Sequence, residues 1–240
     1  MRWVDYSMKP LEILYEDNHI IVCVKPPGVL SQSGKKQLDD MLTLLKEHIK
    51  IKYQKPGDVF LGLVHRLDLN VGGVMVFART SKAASRLSAS IRNKEFKKTY
   101  LAMVEGEIVE PNFIDIVDYL EKNTETRTGS VSDISSGKEA ILSYKTLALS
   151  NLAKMPVSLL EVELKTGRFH QIRIQFSSRN HPLFGDKKYG AKIDCDNSQI
   201  GLWAYRLIFP HPTTRENMVF LSYPANGCFK CFKEFLNTNI

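Results

Sequence analysis

Short apolar runs rich in β-branched residues alternate with amphipathic stretches along the whole chain, and this alternation limits the fold more than any other feature of the sequence. The runs at residues 19–24, 73–78 and 99–104 are bounded by turn-forming residues, which predicts buried β-strands. Apolar residues at helical spacing predict helices at residues 39–49 and 81–96. Strands that alternate with amphipathic helices are typical of mixed α/β or α+β domains.

The second half of the chain contains further strands and one segment of different character. Apolar runs predict strands at residues 140–149 and 157–164, and a last helix is predicted at residues 228–236. Residues 121–139 are polar and rich in Ser, Thr and Gly, which predicts an exposed hairpin or a mobile loop. Because no linker, internal repeat or low-complexity tract divides the chain, we expect a single compact domain over residues 1–240.

The charge balance favours a polyanionic partner. The chain has 33 Lys and Arg against 26 Asp and Glu, a formal net charge of +7. Cations that neutralise phosphates supply most of the sequence-independent affinity of proteins for nucleic acids. The same net charge also occurs in proteins that never bind a nucleic acid, because net charge does not determine fold or function. Hydrophobic residues at 43% and charged residues at 25% exclude intrinsic disorder.

Several classes of protein are excluded by features that the sequence lacks. No apolar run approaches the ~20 residues needed to cross a bilayer, and residues 1–10 lack the apolar core of a secretory signal. Four cysteines (Cys23, Cys195, Cys228 and Cys231) are too few for a disulfide scaffold. We expect the last two to be thiols, with a structural or redox CxxC pair as the alternative. Because nucleotide-binding, zinc-protease and serine-hydrolase motifs are absent, no cofactor or metal is expected.

Polar residues interrupt apolar elements at three places, the first being residues 63–73. His65, Arg66 and Asp68 come just before a predicted buried strand, where a loop can present side chains from a rigid support. The segment is therefore a candidate functional loop. The alternative is a turn that carries a surface ion pair between Arg66 and Asp68.

The second candidate segment, residues 165–174, follows a predicted strand and concentrates hydrogen-bond donors. Arg168, His170, Gln171 and Arg173 suit the binding of phosphate or carboxylate groups. A solvated helix face is the alternative, but the interleaved apolar residues imply partial burial. Because a buried arginine needs an anionic partner, a carboxylate should meet it elsewhere in the fold.

The third candidate segment, residues 180–190, is a predicted loop rich in Gly and Pro. Its residues Lys187, Lys188 and Tyr189 combine cations with an aromatic ring, a combination that suits backbone contacts and stacking with RNA. A surface turn with incidental lysines is the alternative. The predicted helix at residues 81–96 adds further cations, which form either a second basic surface or a solvated helix face.

Taken together, the segments resemble the RluA family of pseudouridine synthases. The sequences that carry the resemblance are, in chain order, HRLD at 65–68, KTYLA at 98–102, TGRFHQIR at 166–173 and PLFGDKKYG at 182–190. Residues 16–28 and 202–212 fit the family as well, so the resemblance covers nearly the whole chain. We do not expect the small N-terminal RNA-binding domain that many members of the family carry.

Two positions depart from the family pattern. Val71-Gly72-Gly73 stands where the family usually has Thr-Ser-Gly, which removes two hydroxyl groups from the loop after Asp68. Gln175 stands where a histidine is common. Neither position is the expected catalytic residue, so these departures concern substrate fine-tuning more than catalysis.

The resemblance implies an α+β fold with a mixed, mostly antiparallel curved sheet in two halves, flanking helices and a central RNA cleft. It also implies isomerisation of uridine to pseudouridine within RNA. Asp68 would act as the nucleophile or as a base, and Arg173 would pair with it and keep it ionised. Tyr100 would stack on the uracil after that base has left its stack in the RNA.

The resemblance also implies a set of residues that contact RNA or support the loops that do so. These are His65, Arg66, Arg168, His170, Gln171, Lys187, Lys188 and Tyr189. The expected partner is a stem-loop of tRNA or rRNA, bound by a monomer in the cytoplasm without metal, cofactor or membrane. Two alternatives stay open, namely a non-catalytic RNA-binding protein that retains the fold and a cofactor-independent enzyme that acts on a free nucleoside or nucleotide.

Overall fold

The structure of the protein, a computed structural model, describes residues 11–33, 40–152, 154–195, 199–225 and 227–239. The chain divides into two compact units. The first unit comprises Met1–Phe96 and Arg206–Ser222, and the second comprises Lys97–Tyr205 and Tyr223–Ile240. The prediction about a secretory signal concerns residues 1–10, which lie outside the described residues, as does residue 39 of the first predicted helix.

The helices and strands are numbered here in chain order. They are β1 (Ile13–Glu16), β2 (Ile20–Lys25), α1 (Met41–Lys52), β3 (Gly62–Leu63), β4 (Gly72–Ala78), α2 (Ser81–Arg92), β5 (Lys97–Glu105), β6 (Ile114–Asn123), β7 (Thr128–Ser132), β8 (Lys138–Leu152), β9 (Met155–Leu164), α3 (Gln171–Ser177), β10 (Leu202–Pro210), β11 (Asn217–Leu221) and α4 (Lys233–Asn239).

The first unit is built on an antiparallel sheet in which β2 pairs with both β1 and β4. Every residue of β2 and β4 is buried, as the continuous apolar runs at these positions predict. Helix α2 begins after Thr80, whose hydroxyl accepts the N–H of Ala83 at 3.1 Å as an N-cap. Leu87 of this helix belongs to the same apolar core as Val22 and Val76 of the sheet.

A buried carboxylate, Glu16, connects three elements of the first unit. Its side chain accepts hydrogen bonds from Lys52 at 2.8 Å, from His48 at 3.1 Å and from Arg79 at 3.1 Å. Burial by itself raises the pKa of Glu16, but the hydrogen bonds from Lys52 and His48 outweigh it and lower the pKa from 4.5 to about 2. The ionised form of Glu16 therefore stabilises the folded state.

We expect Glu16→Gln to lower the free energy of unfolding at neutral pH, because the variant loses these ion pairs. Solvent partly screens the pairs, so the expected loss is about 1–2 kcal/mol. The folded pKa lies below the unfolded one, so this contribution is present above pH 4.5 and is lost as the pH falls towards about 2. Urea unfolding of the wild type and the variant measures the difference. A gap that stays constant between neutral and strongly acidic pH would contradict the assignment.

The second unit contains an antiparallel sheet with the strand order β5-β9-β8-β6-β7. The polar segment at residues 121–139 forms the β6–β7 hairpin and the start of β8, which confirms the hairpin alternative. Helix α3 packs against this sheet through Ile174, which belongs to a buried cluster with Leu120 and Ala140. All strand pairings with a described register are antiparallel and the helices are few, so the expected α+β class with a mostly antiparallel sheet is confirmed.

The cysteine chemistry differs from the expectation of two thiols at Cys228 and Cys231. Cys228 forms a disulfide with Cys195, at a sequence separation of 33, while Cys231 is a free thiol. The segment from Gly227 to Phe232 forms a 3-10 helix, so the helix predicted at residues 228–236 is α-helical only in its last part. The pairing was missed because the two cysteines are distant in the sequence and meet only in the folded chain.

We expect Cys195→Ser to lower the free energy of unfolding by about 4 kcal/mol, because a cross-link that closes a loop of this length restricts the unfolded chain. Urea unfolding under non-reducing conditions measures the loss, and addition of a reductant to the wild type should reproduce it. Cys231→Ser is the matched control, since it removes a thiol and leaves the cross-link. Equal stability of Cys195→Ser and Cys231→Ser would contradict the prediction.

Across the described parts of the chain, no helix is both long and apolar enough to span a membrane.

Candidate active site

Asp68 lies in the loop between β3 and β4, and the backbone on both sides of it is held in place. The hydroxyl of Ser31 donates to the Leu67 carbonyl at 2.8 Å and accepts the Leu67 N–H at 3.0 Å. The Leu69 carbonyl accepts the N–H of Gly28 at 2.8 Å. Two anchored neighbours fix the direction in which the Asp68 side chain leaves the backbone, as a pre-organised catalytic group requires.

Lys25 is a further anchor of this loop. It is fully buried at the end of β2, and its ammonium donates to three carbonyls, those of Pro26 at 3.0 Å, Val29 at 2.6 Å and Leu69 at 3.1 Å. Burial lowers the pKa of Lys25 to about 7, and the negative charge of Asp68 opposes that shift. The carbonyl of Leu69 thus connects the Lys25 ammonium directly to the loop that carries Asp68.

His65 and Arg66 occupy different environments in the same loop. His65 is buried, its Nε2 accepts the backbone N–H of Val76 at 3.1 Å, and its ring meets Phe96 edge-on at 5.3 Å. These contacts hold the His65 side chain within the first unit, against β4 and Phe96. Arg66 is exposed.

In the second unit, the loop before α3 is fastened to β8 by Thr166 and Gln171. The Thr166 hydroxyl accepts the N–H of Ile141 at 2.8 Å and donates to the Gln171 side-chain oxygen at 2.8 Å. That oxygen also accepts the N–H of Arg168 at 3.0 Å, and the Gln171 amide nitrogen donates to the Ile141 carbonyl at 3.1 Å. Gln171 is 3% exposed, so the hydrogen bonds of its side chain to this loop and to β8 lie in the protein interior.

Arg173 extends from α3 to a buried carboxylate. Its Nε and one terminal nitrogen donate to the two oxygens of Asp186 at 2.7 and 2.9 Å, and the two side chains are 7% and 2% exposed. The buried arginine therefore has an anionic partner within its own unit. Bidentate pairs of this kind fix the plane of the guanidinium group as well as its charge.

Tyr189 packs against the same guanidinium and connects it to the loop before α3. The Arg173 guanidinium lies 4.9 Å from the centre of the Tyr189 ring, a cation–π contact. The Tyr189 hydroxyl lies 2.8 Å from His170 Nδ1 and accepts the N–H of Gly129 at 3.0 Å. His170 has a left-handed backbone, with φ of 50°, and non-glycine residues in this region are concentrated at functional sites.

The remaining predicted site residues lie on strands and loops of the second unit. Tyr100 is 6% exposed in β5, opposite Val162 of β9. Arg168, Lys187 and Lys188 are exposed. Thus Tyr100, Arg173 and most predicted RNA contacts belong to the second unit, whereas Asp68, His65 and Arg66 belong to the first.

The two departures from the family pattern have different structural settings. The first departure, at residues 71–73, changes two positions and keeps the glycine of the family at the third. This residue, Gly73, has a φ of 124°, a conformation that other residues rarely adopt. Gln175 is completely buried, and its amide nitrogen donates to the Asp118 carboxylate at 2.8 Å. Asp118 in turn forms an ion pair with Arg179 at 2.9 Å, so Gln175 belongs to a polar network on α3 and β6.

Sequence reasoning missed three residues that hold the predicted site residues, namely Lys25, Ser31 and Asp186. Asp186 and Lys25 lie within segments that carry the family resemblance, but no local pattern shows that a lysine before Pro-Pro-Gly is buried. Their occurrence within those motifs was the one signal that could have identified them. Among the residues that the structure describes, no three His, Cys, Asp or Glu side chains form a group that could hold a metal ion.

Comparisons with known proteins show the family to which the chain belongs. Residues 19–178 match the family model of RNA pseudouridylate synthases. An uncharacterized RNA pseudouridine synthase YhcT of Bacillus subtilis is 36% identical over 211 residues, which cover 87% of this chain and 67% of that protein. The dual-specificity RNA pseudouridine synthase RluA of Haemophilus influenzae is 34% identical over 234 residues, which cover 92% of this chain and 97% of that protein.

The fold has a solved counterpart. The structure of human RNA pseudouridylate synthase domain containing 1 matches with a TM-score of 0.70 and 23% identity, over 90% of this chain and 84% of that one. This likeness shows the fold, while the family model and the sequence relatives show the family. The chain therefore belongs to the RNA pseudouridylate synthase family, and its activity is that of an isomerase that converts uridine to pseudouridine in RNA.

Proposed function

We propose that this enzyme uses Asp68 to detach and rejoin a uracil within a folded RNA, with Arg173 and Tyr100 completing the active site. The observation that carries the proposal is the anchoring of the loop around Asp68, where Ser31 holds Leu67 and Lys25 holds Leu69. A carboxylate held in this way can act as a nucleophile or as a base without reorganisation of its loop.

The reaction keeps all atoms of the nucleotide. The bond between N1 of uracil and C1′ of ribose breaks, the base rotates, and a bond forms between C5 and C1′. The proton on C5 is then lost and N1 gains a proton. Asp68 acts either by attack on the base or the ribose, or by removal of a ribose proton. An ion pair with Arg173 would keep it ionised in a site that excludes water.

The ring of Tyr100 would stack on the face of the uracil after that base has left its stack in the RNA. A buried aromatic ring on β5 offers a rigid stacking surface, and a phenol hydroxyl is a group that can transfer a proton. Because a base leaves its stack at lower cost in a loop than in a duplex, we propose an unpaired uridine of a tRNA or rRNA stem-loop as the target.

The exposed cations Arg66, Arg168, Lys187 and Lys188 would contact phosphates of this RNA. His65, His170, Gln171 and Tyr189 would support the RNA-binding loops. Their rings and amide make contacts within their own units, which supports such a role. We propose that residues 1–240 act as one catalytic domain and as a monomer in the cytoplasm, with size-exclusion chromatography and light scattering as the test of the monomer.

Release of tritium from RNA labelled at C5 of uridine tests the function directly. We expect release from total cellular RNA and none from free uridine nucleotides. Binding of RNA without release from any RNA would favour the non-catalytic alternative. Release from nucleotides but not from RNA would favour an enzyme of free nucleotides. Mapping of pseudouridines in a strain that lacks the protein would identify the position modified.

A further inference from the structure

A cavity in the second unit is lined by residues that, apart from Arg168, the proposed function does not use. It has a volume of about 440 Å³, and its lining includes Lys122, Lys138, Arg168, Phe169 and Glu121. A volume of this size is sufficient for one nucleotide, since small-molecule sites start at about 300 Å³. The cavity is therefore large enough to be a binding site for part of an RNA chain.

The strand register brings two of its lysines to the same face of the sheet. Lys138 pairs with Leu120, and Lys122 is two residues further along β6. Because side chains two apart on a strand and side chains directly opposite on a neighbouring strand share a face, Lys122 and Lys138 point to the same side. With Arg168 they place three cations around the cavity, against the single carboxylate of Glu121.

The position of Arg168 is fixed by its backbone and side chain. Its N–H donates to Gln171, and its Nε donates to the Glu139 carbonyl at 2.7 Å, next to Lys138. The guanidinium is thus held at the cavity rather than moving freely, which reduces the entropic cost of contact with an anion.

An aromatic wall connects the cavity to Arg173. The Phe169 ring stacks on His170 at 3.7 Å between ring centres, and Lys122 Nζ lies 4.7 Å from the centre of the Phe169 ring. His170 contacts the Tyr189 hydroxyl, and the Tyr189 ring packs against the guanidinium of Arg173. A continuous series of contacts therefore runs from the cavity to the arginine that the reaction uses.

Gly167 leaves one side of the cavity open. A Cβ atom built at this position meets no other atom within 4 Å, so a side chain fits there without displacing a neighbour. The space beside Gly167 is therefore not filled by neighbouring side chains, and a ligand of the nearby cations could occupy it.

We propose that this cavity binds a nucleotide that neighbours the target uridine in the RNA, with its phosphate facing Lys122, Lys138 and Arg168 and its base against Phe169. The proposal rests on the proposed function, because it assigns part of the substrate of the same site. Backbone phosphate is the matching chemistry, since cations on a groove and an aromatic face are the two features by which proteins hold single-stranded RNA.

A fluorescein-labelled oligouridylate of twelve nucleotides is the binding probe. We expect the triple variant Lys122→Ala, Lys138→Ala, Arg168→Ala to bind it at least about thirtyfold more weakly. The slope of log affinity against log salt concentration should become shallower by about 2. Lys230→Ala, which removes an exposed cation elsewhere in the second unit, should change affinity less than about twofold. Unchanged affinity and salt slope in a folded triple variant would overturn the proposal.

Position 167 allows a second test that leaves all three cations in place. Gly167→Glu introduces a negative charge into the open side of the cavity, and Gly167→Gln introduces the same volume without the charge. We expect the glutamate variant to bind the oligouridylate about tenfold more weakly than the glutamine variant. Phe169→Leu should weaken binding about fivefold through loss of stacking. Equal binding by the two variants at position 167 would count against a phosphate in this cavity.

Oligouridylate binding and tritium release, measured together, distinguish a failure of this proposal from a failure of the proposed function. Tritium release by the wild type together with normal binding by the triple variant would overturn the subsite alone. Weak binding by the triple variant together with no tritium release from any RNA would support the subsite and overturn the function. Thermal unfolding of each variant confirms that the protein used is folded.

Discussion

Replacement of Asp68 by asparagine is expected to reduce tritium release by at least about 10³-fold while RNA binding stays close to that of the wild type. Asparagine has nearly the same shape, so the loop held by Ser31 and Lys25 should keep its conformation. The amide is neither a nucleophile nor a base at neutral pH, so only the chemical step is lost. Single-turnover release of tritium with enzyme in excess over RNA measures that step.

The matched control is Asp58→Asn, which neutralises an exposed carboxylate of the same unit and should keep full activity. Thermal unfolding of both variants identifies any loss of structure. A rate above a tenth of the wild-type value in Asp68→Asn would remove Asp68 from the reaction, because a spectator carboxylate loses little when it becomes an amide. Loss of RNA binding in parallel with the rate would also contradict a purely chemical role.

Removal of Asp186 is expected to lower the free energy of unfolding by about 3–5 kcal/mol and to reduce turnover by at least about 10²-fold. Asp186→Ala takes away a carboxylate that receives two hydrogen bonds from the Arg173 guanidinium, and breaking a buried pair from one side has a cost of this size. A guanidinium without these bonds also loses the orientation that the reaction needs. Urea unfolding and tritium release measure the two effects separately.

A double variant separates stability from chemistry. When both members of a buried ion pair are replaced by apolar residues of similar size, stability is often recovered. We therefore expect Arg173→Met combined with Asp186→Leu to be more stable than Asp186→Ala and equally inactive. An unfolding midpoint of Asp186→Ala that equals that of the wild type would show that the pair contributes nothing to the fold.

The arginine itself has a distinct expected phenotype. Arg173→Ala should bind RNA normally and lose most of its turnover, since this side chain is buried and is expected to act on Asp68 rather than on phosphates. Near-normal turnover in this variant would remove the proposed pair of Asp68 with Arg173. Asp68→Asn and Arg173→Ala should also be non-additive, because both remove the same interaction.

Much of the fold follows from local patterns in the sequence. The strand predicted at residues 19–24 is β2 at Ile20–Lys25, and the strand predicted at residues 73–78 is β4 at Gly72–Ala78. Both are long apolar runs between turn residues, for which burial on both faces leaves few alternatives. Thr80 and Ser81 are both possible N-caps by their side-chain chemistry, and the structure places the cap at Thr80.

The polar segment at residues 121–139 shows where the local pattern becomes ambiguous. Its composition fits a mobile loop and a hairpin equally, and pairing of β7 with β6 decides between them. The hairpin also provides Lys122 to the proposed RNA subsite, although nothing in its composition distinguishes that lysine from other solvated cations.

The sequence by itself determined the family and the class of reaction, because the motifs are contiguous and their side-chain chemistry is specific. Only the tertiary structure decided which groups meet. It assigned the Asp186 carboxylate to Arg173, the Lys25 ammonium to the carbonyl of Leu69, and Cys195 to Cys228. Hydrogen bonds, ion pairs and burial between segments depend on distances that exist only after the chain has folded, and no spacing along the sequence encodes them.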